Sequence, residues 1–386
     1  MEERMIYLDH AATSFPKPAT VTEEMLRCMK QYAGNPGRSS HSLSLAAAEK
    51  VFECRERIAR LFEADAPECV FFTMNTTQSL NLVLKGLLHR GDHVLLSDME
   101  HNAVFRPIYG MAQAGMIEYD CFRSMVGDPR RTAVRICANI AKLIRPNTRL
   151  VVLAHTSNLC GATLPLKEIG TFCRRHGLLL VVDAAQSAGK ERISMKSMGI
   201  DALCVPGHKG LMGPQGCGFV ILRQGLMLQT LIEGGSGVNS LDGTMPELPP
   251  ERYEAGTLPL PAIVGLSEGV RLVTEQGVEV IAAHERALFR RAKELLKRIN
   301  GVTLHAAEYE GGTLLFTLRG HSSEEVAQAL SDRGICVRGG YHCAPLAHKT
   351  LGTLDGGAVR ASFGVFNTFR CVDALAFAIR DIAKEK

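Results

Sequence analysis

The residues best placed to do covalent chemistry lie in VPGHKGLMGPQGCGFV, residues 205–220, where Lys209 stands between an apolar run and a glycine-rich turn. A lysine at the carboxyl end of a parallel strand enters the crevice where α/β sheets bind ligands. Partial burial lowers the pKa of such an amine, frees its lone pair and suits it to forming a Schiff base. The alternative is a solvated loop lysine. Upstream, LLLVVDAAQSAG sets Asp183 directly after another apolar run, with Gln186 three residues on. A carboxylate there can hold the proton of a heteroaromatic nitrogen, or it can simply cap a turn. In FFTMNTTQSLNLVL, Asn75, Thr76 and Thr77 fall at a strand-to-helix junction. Free N–H groups and hydroxyls at a helix start bind phosphate, although plain N-capping uses the same residues.

The elements that must position these groups are legible as short apolar runs alternating with segments of helical period. Strands are predicted at 69–73, 93–97, 116–120, 149–155, 178–183, 202–206 and 218–222, and helices at 76–88, 102–114, 130–144 and 166–176. Near-continuous apolar strands separated by helices imply a parallel sheet covered on both faces. The last two runs leave no room for a helix between them, which predicts an antiparallel edge. Residues 233–261 are rich in Gly and Pro and lack periodicity, and a stretch of that length is more often functional than passive. Helical patterns at 262–276 and 278–299 follow. A tail then carries TLLFTL (313–318), a helix from about 322, ICVR (335–338), AVRAS (358–362) and a helix near 372–384, reading as a smaller α+β unit. The boundaries predicted are 21–264 for a large domain and 1–20 with 265–386 for a small one.

Composition narrows the function. The 386 residues exceed one ordinary domain, and 46% apolar with 22% charged residues is a soluble globular composition. A net charge of +4, no Trp and only 7 Tyr argue against a nucleic-acid or membrane-surface partner. No apolar run reaches the roughly 18 residues that span a bilayer. The start MEERMIYLDH lacks the apolar core of a secretory signal, so a cytoplasmic, reducing environment with free thiols is expected. The closest two of the 12 cysteines, Cys336 and Cys343, are seven apart, which removes the CxxC signature of zinc and redox sites. No metal is expected.

Taken together, DHAATSFPKP (9–18), NPGRSSHSLS (35–44), FTMNTTQSLN (72–81), DMEHN (98–102), HTSNLCG (155–161), DAAQSAG (183–189), PGHKGLMGP (206–214), YEAGT (253–257), RGGYHCAP (338–345) and VRASFGVFNT (359–368) give the chain a specific likeness. In this order they resemble the class V aminotransferase family, and within it the cysteine desulfurases and selenocysteine lyases. The resemblance runs from Asp9 to about Asp373. It implies an α/β fold of the aspartate-aminotransferase type (fold type I), with a mainly parallel seven-stranded sheet in the large domain and a smaller α+β domain.

The resemblance also implies roles. Lys209 would carry pyridoxal 5′-phosphate as a Schiff base. Asp183 would pair with its ring nitrogen, Gln186 with its phenolic oxygen, and His101 would stack on the ring. Thr76, Thr77 and His208 would take the phosphate, completed by Gly256 and Thr257 from a second subunit of a homodimer. Arg360, assisted by Asn158, would grip the substrate α-carboxylate, for which a guanidinium fork is well shaped. Cys343 follows Gly339 and Gly340 and adjoins His342, whose imidazole can help generate the thiolate. It would attack the sulfur of L-cysteine, leaving L-alanine and a persulfide that a sulfur-acceptor protein or reductant discharges.

The chain departs from the family pattern at two positions. Pro206 stands where relatives often carry a hydroxyl residue, and Tyr341 replaces one member of a His pair found in close relatives. The short link from Arg338 to Cys343 predicts a restrained loop. Rival readings are an L-selenocysteine lyase, another C–S lyase or a true transaminase, which would not need Cys343. A non-catalytic sulfur-transfer partner is a further rival. A dinucleotide oxidoreductase is the last, and it lacks its glycine fingerprint.

Overall fold

The computed structural model describes residues 5–37, 39–238 and 240–385; Arg38, inside the NPGRSSHSLS motif, lies outside them with residues 1–4, Asn239 and Lys386. The chain opens with β1 (Ile6–Tyr7), α1 (Ala19–Gln31) and α2 (Ser42–Leu61). It then lays down β2 (Val70–Thr73), α3 (Thr76–Leu87), β3 (His93–Ser97), α4 (Asn102–Gln113), β4 (Glu118–Phe122), α5 (Ala133–Ala141), β5 (Thr148–Ala154), α6 (Leu166–Arg175) and β6 (Leu179–Asp183). The short α7 (Met195–Met198) leads to β7 (Ala202–Pro206) and β8 (Gly218–Leu222). After the long irregular segment come α8 (Leu260–Gln276), α9 (Val278–Leu296), β9 (Val302–His305), β10 (Thr313–Leu318), α10 (Ser323–Ser331), β11 (Ile335–Cys336), α11 (Pro345–Leu351), β12 (Val359–Ser362) and α12 (Phe369–Ile382).

Seven strands form one sheet in the order β2-β8-β7-β6-β5-β3-β4. From β7 to β4 the strands run parallel, while β8 is antiparallel to both of its neighbours. The antiparallel strand foreseen from the missing helix is therefore real, but it lies second from the edge because β2 covers it. Strand period decides which layer each side chain joins. In β5, Val151 and Leu153 face a core built with α2, α5, α6 and α8, whereas Leu150 and Val152 face α3 and α4. Helix α8 is continuous across residues 264 and 265 and buries Ile263, Val264, Leu266 and Val270 in the first of these cores.

A third core joins Leu8, Leu288, Phe289, Leu314, Phe316, Val359 and Ile379 around the antiparallel sheet β12-β10-β9. The chain start belongs here, since β1 pairs with β11 and Asp9 bridges to Ser362. A small fourth cluster, including Met99, Leu159, Cys160, Leu315, Ala344 and Ala347, lies where the two sheets meet.

Helices α1 and α2 were not expected from the sequence. In α2 the buried positions Ser44, Ala47, Val51, Cys54 and Ile58 keep helical spacing, but only Val51 and Ile58 are large and apolar, too few to stand out as a stripe. Among the described residues no helix is long and apolar enough to cross a membrane.

Candidate functional site

The carboxyl ends of β5, β6 and β7 lie side by side, with Ala154 opposite Asp183 and Asp183 opposite Cys204. The turns that leave β6 and β7 press backbone to backbone: a Cβ on Gly210 would sit 2.2 Å from the carbonyl oxygen of Ala188. That approach, open only to glycine, seats Lys209 against the DAAQSAG turn. The His208 carbonyl accepts from the Ser14 N–H at 3.0 Å and from Lys17 Nζ at 2.9 Å, so the chain start straps the lysine turn from above.

The result is a cavity of about 100 Å³ lined by Thr76, Thr77, His101, Asn158, Asp183, Gln186, His208 and Lys209, among others. Eight of the residues singled out in the sequence thus converge. Burial lowers the Lys209 amine to about 8, and the nearby Asp183 charge opposes that shift only in part. Burial likewise raises the carboxyl of Asp183, whose Oδ1 accepts the Ala185 N–H at 2.8 Å. Gln186 donates from Nε2 to the Ala11 carbonyl at 2.9 Å.

The helix start behaves as its residues foretell. Asn75 caps α3 through Oδ1, which accepts the Gln78 N–H at 3.0 Å. This leaves Thr76 and Thr77 at the first turn, where N–H groups lack intrahelical partners. The Thr76 Oγ1 is buried with no hydrogen-bond partner. His101 caps α4, its Nδ1 accepting the Ala103 N–H at 3.0 Å. Burial, reinforced by the Lys209 charge, lowers its imidazole to about 4, so it is neutral near pH 7 with its proton on Nε2. His208 is lowered to about 4 by burial, and its Nδ1 lies 3.0 Å from Thr13 Oγ1.

His101 and Thr77 also line a second, larger recess of about 540 Å³ that runs along α4 and ends at Cys343. Cys343 is exposed and lies on a pinned loop. The Asn158 Nδ2 donates to the His342 carbonyl at 2.9 Å, and the Asn102 N–H donates to the Cys343 carbonyl at 2.7 Å. His342 and Cys343 have φ of 50° and 56°, a left-handed pair that costs energy without glycine. The restrained loop foreseen from its short link is what the structure contains.

One sequence argument fails here. The His342 imidazole is engaged at both nitrogens, Nδ1 lying 3.3 Å from His348 Nε2 and Nε2 lying 3.1 Å from the Arg338 carbonyl. It is not open to take the Cys343 proton. The thiol has Arg338 beside it instead, with Nη2 3.8 Å from Sγ.

Arg360, only 1% exposed, lies on β12 and is tied to Asn158 of the cavity wall. Its Nη1 donates to the Asn158 carbonyl at 3.0 Å and its Nη2 to Asp9 Oδ1 at 2.7 Å, while Nε has no partner. Asp9 had no role assigned from the sequence, although the DHAAT motif contains it. Glu100 was also missed. Fully buried beside His101, its carboxyl is raised to about 8 by burial and accepts the Ala154 N–H at 3.0 Å. Gly256 and the exposed Thr257 do not line the cavity of their own chain. Their segment is anchored by Glu254, which pairs with Arg55 at 2.6 Å and accepts the Phe72 N–H at 2.6 Å. Among the described residues, no three His, Cys, Asp or Glu side chains gather as a metal site would require.

Comparison with known proteins follows the same lines. Residues 6–375 match the family described as Aminotransferase class-V. A Methanothermobacter thermautotrophicus protein named "Probable cysteine desulfurase" is 34% identical over 98% of this chain and 94% of its own. The solved structure of a cysteine desulfurase from Thermococcus onnurineus superposes with a TM-score of 0.89 at 31% identity, covering 99% of this chain and 95% of that one. A cysteine desulfurase structure from Escherichia coli gives 0.88 at 28% identity, covering 100% and 96%.

Proposed function

Because the chain belongs to the class V aminotransferase family, we propose that it is a cysteine desulfurase, a pyridoxal-phosphate enzyme that turns L-cysteine into L-alanine and leaves the sulfur as a persulfide on Cys343. The observation that carries this reading is the wall shared by the spaces that Lys209 and Cys343 line. His101 lines both the cavity that holds the lysine and the recess that ends at the thiol.

The residues of the cavity fit the cofactor. Thr76 presents a buried hydroxyl with no protein partner, as a phosphate oxygen would need, and Thr77 shares the same helix start. The Asp183 carboxyl, raised by burial, would be stabilised as a carboxylate by a pyridinium N–H. Lys209 supplies an amine with a lowered pKa, Gln186 and His208 line the same space, and His101 offers a neutral ring. When bound, the cofactor supplies an electron sink that acidifies the substrate Cα–H.

The chain's own groups do the rest. Arg360, braced by Asn158, receives the substrate carboxylate and so fixes which bond at Cα faces Lys209. Lys209, released as a free amine, accepts the α-proton at Nζ. The Cys343 thiolate, with Arg338 beside it, attacks the substrate sulfur. An S–S bond forms, the Cβ–S bond breaks with its electron pair left on carbon, and protonation there gives the methyl group of alanine. The thiol hydrogens balance: cysteine and one enzyme thiol become alanine and one enzyme persulfide. Gly256 and Thr257, outside their own chain's cavity, are proposed to complete the phosphate site of a second copy, and an acceptor protein to take the persulfide sulfur.

Alanine production from L-cysteine with a reductant tests the reading. Wild type should form alanine and Cys343→Ala should not. Equal rates from the two would remove Cys343 from the reaction.

A further inference from the structure

Arg360 carries a full charge with almost no exposure, and a buried charge is tolerated only when it is paired. The structure provides one partner, Asp9, whose Oδ1 accepts from Nη2 at 2.7 Å. The two residues are 351 positions apart in sequence, so the contact exists only because the chain start folds back onto the last strand. Asp9 is itself fixed: its backbone bridges to Ser362, and its carbonyl accepts the Tyr7 hydroxyl at 3.1 Å and the Ala12 N–H at 3.0 Å. With the Asn158 carbonyl holding Nη1, the guanidinium has two of its three nitrogens clamped. The third, Nε, is buried with no partner.

We propose that Asp9 is the positioning residue for Arg360, clamping the guanidinium so that Nε–H stands as the open donor for the α-carboxylate of the amino-acid substrate. This rests on the reading of the site as one for an α-amino acid, and it extends that reading to a residue which touches no substrate atom. Two consequences follow. Removing the carboxylate outright frees a long side chain to leave its aim, so affinity for carboxylate-bearing ligands falls. Replacing it by an amide of the same shape keeps the acceptor oxygen and removes a negative charge next to the arriving carboxylate, so affinity holds or rises.

Calorimetric titration of the holoenzyme with L-alanine and with L-alaninamide, which lacks the carboxylate, tests this without any sulfur chemistry. Asp9→Ala should weaken L-alanine binding at least tenfold and leave L-alaninamide binding unchanged, the latter serving as the check on folding. Asp9→Asn should bind L-alanine as tightly as wild type or several-fold tighter. In turnover of L-cysteine, Asp9→Ala should raise KM with kcat within about threefold of wild type. Wild-type affinity for L-alanine in Asp9→Ala, or an equal loss for both ligands, would overturn the proposal. A wild-type enzyme that binds L-alanine yet forms none from L-cysteine would instead sink the desulfurase reading and leave the role of Asp9 standing.

Discussion

The N–H of Asn102 donates to the carbonyl of Cys343 at 2.7 Å, tying the first residue of α4 to the thiol loop. With the Asn158 tether to His342, it holds two consecutive non-glycine residues in the left-handed region. Such residues cost on the order of 1–3 kcal/mol each. Alanine at 343 keeps that strain and glycine relieves it. Cys343→Gly should therefore unfold at higher temperature than Cys343→Ala, by the equivalent of about 1 kcal/mol. Thermal melts of the two variants compare them directly, and equal midpoints would show that the loop stores no strain.

The unpartnered hydroxyl of Thr76 gives an unusual expectation for a buried polar group. Thr76→Val has nearly the same shape and removes an unsatisfied oxygen, so the cofactor-free protein should be no less stable. Cofactor affinity should fall by roughly tenfold, the worth of about one hydrogen bond to a charged group. Equilibrium dialysis with pyridoxal phosphate reads the second effect and a denaturant melt the first. A stability loss with unchanged affinity would place the hydroxyl in the fold alone.

Lys209 sets a pH signature. Burial lowers its amine from an ordinary 10.5 to about 8, so the nucleophilic neutral fraction grows as pH rises through 8 and saturates near 9. The rate at which cofactor-free protein takes up pyridoxal phosphate should rise about fivefold from pH 7 to 8 and level off above 9. Absorbance of the bound cofactor follows the rate. A climb of about tenfold per unit continuing to pH 10 would mean a lysine of ordinary basicity.

The Arg55–Glu254 pair is buried on both sides, and Arg55 also lies over the ring of Phe72, 4.7 Å from its centroid. Arg55→Ala leaves the Glu254 carboxylate buried alone and should cost about 3–5 kcal/mol in denaturant unfolding. Arg55→Ala paired with Glu254→Gln should recover part of that loss. No recovery would mean that Arg55 matters through packing rather than charge.

Most of the sheet was legible because its strands are apolar runs bounded by turns. The strand HVLLS is found at 93–97 as read, and β7, β8 and β10 keep the bounds foreseen for them. The convergence of Lys209, Asp183 and Thr76 was legible for a related reason, since all three sit at strand ends that a parallel sheet must bring to one side. What stayed hidden depends on distant pairing. Nothing near Asp9 in sequence announces Arg360, and nothing around His342 shows that its ring nitrogens are already spent. Helix α1 was missed because only Val21 and Cys28 of its 13 residues are buried, too few for a visible stripe.

The strap formed by the chain start has a bearing on how the protein is made. All seven strands of the large sheet are present once residue 222 has been synthesised, so that layer can form early. Arg360 meets Asp9 only after nearly the whole chain has left the ribosome, because 351 positions separate them. The lysine turn can thus be shaped before the Asp9–Arg360 contact exists. On the proposed role of Arg360, a nascent chain would hold the amine before it held selectivity, and the arrival of the final strand would make the site discriminate.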